Sequence, residues 1–195
     1  MPIIVVKDVG PDALPRYGRI PISFTIESVL RPEVRDGGFG GIVLREEPVQ
    51  PPYVKDYDAL DGEGPTRWAK DWDVSGWGFF IAAREGTDIG AAAVAHRTRG
   101  LFALEGRHDL AALWDIRVHP DHRRSGVGTA LFSRAAAWAT DRGCTQLQIE
   151  TQNNNVGACR FYAKQGAVLG SIHRFAYRRA PVVADETMLL WYLDL

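Results

Sequence analysis

Residues 119–132 read HPDHRRSGVGTALF, two arginines and two closely spaced glycines directly ahead of a run with helical spacing. A helix N-terminus offers unpaired N–H groups and a partial positive charge, so a turn of this composition is suited to an anion. Three phosphate-binding patterns can be tested on it. The pattern GxxxxGK[ST] fails, because no lysine precedes Ser125 or Thr129 at the required place. The pattern GxGxxG/A finds Gly126 and Gly128 but meets Leu131 where the third small residue belongs. What remains is Arg123-x-x-Gly126-x-Gly128, in which the glycines let successive backbone amides along Arg124, Ser125, Gly126, Val127, Gly128 and Thr129 face a pyrophosphate. Arg123 and Arg124 then add charge at the rim. The plain alternative is a tight turn with solvated arginines.

The flanking sequence places this turn between a strand and a helix. ALWDIRVH, residues 112–119, reads as the strand. From Val127 to Asp141, Val127, Leu131, Ala135 and Trp138 share one helical face, and Gly143 supplies the stop. QLQIETQ, 146–152, alternates strictly, with Leu147, Ile149 and Thr151 on one side and Gln146, Gln148, Glu150 and Gln152 on the other, so one side of that strand must meet something polar. Asn153, Asn154 and Asn155 offer N-cap chemistry to a second helix, VGACRFYAKQ, closed by Gly166. AVLGSIHRF and TMLLWYLDL read as the last strands, and WGFFIAAREGTDIGAAAVAHR as a hairpin turning at residues 85–88. From residue 78 the expected order is β-β-β-α-β-α-β-β, an α/β fold of mixed α+β character. Upstream, RIPISFTIESVL and FGGIVLRE read as strands, and EPVQPPYVKDYDALDGEGPT, 47–66, as a long loop broken by proline, glycine and acids.

At 195 residues the chain is expected to form a single domain, residues 1–77 supplying N-terminal strands and an acidic loop and 78–195 the core. With 23 Lys and Arg against 24 Asp and Glu, a net charge of −1 gives no field for a nucleic acid or an anionic membrane. Cys144 and Cys159 match neither a metal spacing nor a disulfide framework, which favours a reducing cytosol. The opening MPIIVVKDVG is too short for a signal peptide, and no apolar run approaches the roughly 20 residues of a membrane helix. A cytoplasmic protein without membrane or nucleic-acid partners is expected.

LWDIRVHPDHRRSGVGTALF resembles the signature strand, R/Q-x-x-G-x-G/A turn and helix of the GNAT superfamily of acetyl-CoA-dependent N-acetyltransferases. NVGACRFYAKQGA is similar to that family's second signature, N-x-x-A-x-x-F-Y-x-x-x-G-F, with Ala167 replacing the usual phenylalanine. The resemblance spans residues 78–195 and implies a mixed, mainly antiparallel twisted sheet flanked by helices. LQIETQNNNVGACRFYAKQGAVLGSI, MLLWYLDL and PPYVKDYD further resemble streptothricin acetyltransferases.

The resemblance implies acetyl-CoA as co-substrate, held by Arg123 to Thr129, by main-chain groups of Ile116 and Val118, and by Asn155, which also suits a helix cap. It makes the backbone near Val118 the oxyanion donor and Tyr162 the group that protonates or hydrogen-bonds the leaving sulfur. Tyr162 could instead be a core aromatic. An alkyl amine with a pKa of about 10.4 must lose a proton before it attacks. Glu150 and Asp115 are the candidates for base, water relay or acceptor clamp, unless each is a structural carboxylate paired with an arginine. His119 and His122 lack a third ligand at useful spacing, so no metal is expected. Asp56, Asp58, Asp61 and Glu63 could attract a small cationic amine such as streptothricin, or lie in a solvated loop. The other readings are a peptide or protein amine acetyltransferase and a non-catalytic acetyl-CoA-binding module. A homodimer is what the family implies.

Overall fold

The hairpin anticipated near residue 85 is the tightest of its kind: Glu85 and Gly86 alone form the turn, with φ of 51° and 83°. Two left-handed residues match the twist of the strands they join. A computed structural model describes residues 3–61 and 64–195. Its strands are β1 (Val5–Val9), β2 (Phe24–Val34), β3 (Ile42–Lys55), β4 (Gly78–Arg84), β5 (Thr87–Ala95), β6 (Leu110–Val118), β7 (Gln146–Gln152), β8 (Val168–His173) and β9 (Met188–Asp194). The α-helical segments are α1 (Leu14–Tyr17), α2 (Tyr57–Asp61), α3 (Trp68–Asp71), α4 (Val127–Thr140) and α5 (Val156–Lys164). From residue 78 the order is the one the sequence implies.

The chain forms two compact units, and β7 passes from one into the other. The first comprises Met1–Phe24, Asp56–Ile149 and Leu193–Leu195. Its strands lie in the order β1-β4-β5-β6-β7, all neighbours antiparallel except β6 and β7, which run parallel. On one face Phe79 and Ile81 join Ala91, Ala93 and Ala95 with Leu14, Tyr17, Ile20 and Trp77 in a buried core. Phe80 meets Trp138 of α4, so α4 packs on the opposite face. Val127, Leu131, Ala135 and Trp138, the face read from the spacing, are all buried. Gly90 permits that approach, since a Cβ there would stand 2.7 Å from Val127 Cγ1 and 2.9 Å from Leu131 Cδ1. At its far end α4 stops as expected, with Gly143 at φ 75° and Cys144 N–H donating to Ala139 O at 3.1 Å.

The second unit comprises Thr25–Lys55 and Glu150–Tyr192. Here β2 and β3 form a two-stranded sheet, β9 lies between β7 and β8, and β8 and β9 pair antiparallel. Arg31–Glu47 at 2.6 Å and Arg45–Glu33 at 2.9 Å bridge the ribbon. Two expectations fail at its ends. Residues 47–66 are not a single loop: β3 runs through Pro48, Pro51 and Pro52 to Lys55, and α2 follows. Proline removes a donor, but a strand with only one neighbour needs only part of its N–H groups. The strand expected from Arg19 begins only at Phe24, after Pro21. Glu63 and the side chain of Asp61 lie outside the described residues.

Candidate active site

In the first unit β6 pairs with β7 only from Leu110↔Gln146 to Leu113↔Ile149. Beyond that, among the described residues, Trp114 to Val118 have no β7 partner in the register. On the other side β6 stays paired with β5, from Ala95↔Ala112 to Gly90↔Val118, across a bulge between Ala93 and Val94 that skips Trp114. The stretch holding Ile116 and Val118 is thus fixed along one edge.

The turn follows at once. Arg124 and Gly126 are left-handed, at φ 59° and 87°, and no side chain caps α4 at Gly126. Val127 sends its side chain into the core, while Gly128 is half-buried and Thr129 exposed in the first helical turn. Ser125 Oγ donates to His122 O at 2.6 Å. Arg123 is exposed, as a rim charge would be, and it also braces the turn. Its Nε donates to Val118 O at 3.2 Å and its Nη2 to Ser23 O at 2.6 Å, so its fork holds the turn itself. Burial lowers its pKa from the ordinary arginine value. His119 and His122 stand with ring centroids 5.7 Å apart, and no cluster of three metal-ligating side chains occurs among the described residues.

Asp115 and Asp58 are brought together by a residue the sequence reading passed over. Arg117, 2% exposed, donates Nε to Asp115 Oδ1 at 2.9 Å and Nη2 to Asp115 Oδ2 at 2.8 Å. It also donates to Ile20 O at 3.2 Å and reaches both oxygens of Asp58. Tyr17 OH donates to Asp115 Oδ1 at 2.6 Å, and the guanidinium lies 5.1 Å from the Tyr17 ring centroid. Burial works against the charge on Arg117, but Asp115 and Asp58 outweigh it and raise its pKa. Burial, with the charge of Asp115, pushes the Tyr17 phenol well above its ordinary value. Asp115 is therefore the arginine-paired carboxylate, with both oxygens engaged. Asp56 stands apart on the surface, accepting from the N–H of Asp58 at 3.1 Å. Asp115 and Arg117 are two apart on one strand and so share a face, a cue present in the sequence.

In the second unit Glu150 accepts from Tyr177 OH at 2.6 Å and from Gln152 Nε2 at 3.3 Å, and Gln152 Nε2 donates to Tyr177 OH at 2.8 Å. Glu150 keeps contact with solvent. Protein packed around its carboxyl nonetheless raises its pKa, while the bonds from Tyr177 and Gln152 pull the other way. Asn155 caps α5 by accepting from Ala158 N–H at 3.1 Å. Tyr162 is 5% exposed and packs edge-on against Phe161 at 5.2 Å. Asn153 ties β2 to the approach to β9, donating to Leu30 O at 3.0 Å and accepting from Thr187 N–H at 2.8 Å. Tyr177, 27 positions from Glu150, had no local cue to its role.

A strand free of β7 along one edge runs directly into a left-handed turn and an uncapped helix, an arrangement suited to an extended ligand that ends in a phosphate. The chain belongs to the acetyltransferase (GNAT) family, whose family model matches residues 31–167. It is 32% identical over 152 residues to streptothricin acetyltransferase A of Bacillus subtilis, covering 75% of this chain and 76% of the relative. With a streptothricin acetyltransferase of Escherichia coli it shares 44% identity over 85 residues, 44% of this chain and about half, 49%, of the relative. Among solved structures, a Bacillus anthracis protein assigned to the streptothricin acetyltransferases, in complex with acetyl coenzyme A, superposes with a TM-score of 0.77. Identity there is 26%, covering 99% of this chain and 100% of the other. No helix among the described residues is long and apolar enough to cross a membrane.

Proposed function

We propose that this protein transfers the acetyl group of acetyl-CoA to a primary amine of a streptothricin-like antibiotic. The observation that carries the reading is the continuity of β6 with its turn and α4. The strand keeps an edge without a β7 partner from Trp114 to Val118, suited to the amides of a pantetheine. The uncapped, left-handed turn at Gly126 suits its pyrophosphate. The residues therefore fit the co-substrate, with Asn155 an additional candidate for the pantetheine.

Glu150 is the better base. Its raised pKa brings it toward the range in which a carboxylate accepts a proton from an ammonium, directly or through water. Asp115 has both oxygens committed to Arg117 and Tyr17, and its part is to hold the strand. By family resemblance the N–H near Val118 stabilises the oxyanion and Tyr162 protonates the departing thiolate. One arginine between two carboxylates leaves the Asp58–Arg117–Asp115 group with one negative charge in excess. With exposed Asp56, that gives a cationic acceptor its attraction. The reading also keeps one acetyltransferase domain over residues 1–195, a homodimer, and action in the cytoplasm.

The test is release of free thiol from acetyl-CoA against a panel of streptothricin, spermidine, lysine and a histone-like peptide. Turnover with streptothricin well above the others is expected. Preference for the peptide would favour a protein acetyltransferase, and binding of acetyl-CoA without turnover a binding module.

A further inference from the structure

Arg84 ends β4, across the hairpin from Thr87, and its Nε is buried with no hydrogen-bond partner among the described residues. Its Nη2 reaches Ser125 Oγ only at 3.4 Å, a weak contact. The Ser125 hydroxyl hydrogen is already spent on His122 O. By contrast Arg16 is answered by Asp88, Arg107 by Asp109, Arg117 by Asp58 and Asp115, and Arg123 by carbonyls. An arginine with a buried, unanswered donor beside an uncapped helix start requires an explanation, because such a group costs stability unless something completes it.

We infer that Arg84 is a further binding residue for acetyl-CoA, donating its guanidinium to the pyrophosphate at the turn Arg123–Gly128. The fork geometry of arginine matches paired phosphate oxygens, and Ser125 places the guanidinium beside the turn's amides. Sequence pattern gives no hint of it, since Arg84 lies 41 positions from Ser125 on another strand. The inference rests on the acetyl-CoA reading above.

The experiment is calorimetric titration of wild-type protein and Arg84→Met with CoA, 3′-dephospho-CoA and pantetheine. Removing an unsatisfied donor leaves no orphaned partner, so the variant should fold; Arg84→Gln, with the same expected effect, replaces it if it does not. Expected is a loss of about tenfold with both CoA and 3′-dephospho-CoA, none with pantetheine, and a smaller difference at high salt. Arg84→Lys should lose less. Unchanged affinity for CoA, a loss shared by pantetheine, or a loss with CoA that vanishes with 3′-dephospho-CoA would each overturn the assignment. Wild-type protein that binds no CoA would overturn the acetyl-CoA reading and this inference with it; wild-type binding with an indifferent Arg84→Met overturns this inference alone.

Discussion

Arg117 and Asp58 meet across 59 positions of sequence through two hydrogen bonds, Nη1 to Oδ2 at 2.7 Å and Nη2 to Oδ1 at 3.1 Å. The pair fastens α2 to β6, and Asp115 holds the same guanidinium from the other side.

Arg117→Met should therefore destabilise the protein by about 3–5 kcal/mol, because it strands the Asp115 carboxylate, whose side chain is 7% exposed, without a counter-charge. Urea unfolding measures this. Asp58→Asn should cost much less, since 28% of its side chain meets solvent. Equal effects of the two changes would remove Arg117 from the centre of the network.

Glu150 provides a pH test. Packing raises its pKa and the Tyr177 hydroxyl opposes the rise, so Tyr177→Phe should move the acidic limb of kcat/KM to higher pH. Glu150→Gln should remove the limb. Because the folded form holds its proton more tightly than the unfolded chain, ionisation of Glu150 costs stability as pH rises through its raised pKa. Glu150→Gln should therefore gain stability above that pH and none below the ordinary carboxylate value. An unmoved limb in both variants would exclude Glu150 as the base.

Arg123→Met should loosen the turn by freeing Val118 O and Ser23 O. Weaker CoA binding is expected at every salt concentration. A loss that fades at high salt would return Arg123 to the rim.

Gly128→Val should weaken CoA binding at least about tenfold by setting a branched side chain on the first turn of α4. Tyr162→Phe should lower kcat by roughly 10² to 10³ while leaving CoA affinity unchanged. Unaltered turnover with chemistry rate-limiting would make Tyr162 a packing residue.

What the sequence revealed depended on how local each cause was. The buried face of α4 follows from 3.6-residue spacing, and the Asn155 cap from a bond three residues long. Composition misled at β3, because prolines that break a central strand are tolerated in a two-stranded ribbon. Gln148, on the face that alternation makes polar, is 1% exposed and donates to Glu105 at 2.8 Å, so the buried amide is answered by an acid at the surface. The pairings of Arg117 with Asp58 and of Tyr177 with Glu150 join distant segments, and no local window contains them.

The central claim is acetyl transfer to a streptothricin-like amine, and a direct comparison of kcat/KM for streptothricin and spermidine, with acetyl-CoA saturating, tests it most closely. The account predicts a clear preference for streptothricin, with KM rising in an Asp56→Asn, Asp58→Asn double variant while kcat at saturating acceptor stays near wild type. Equal kcat/KM for the two amines, or a double variant indistinguishable from wild type, would contradict it.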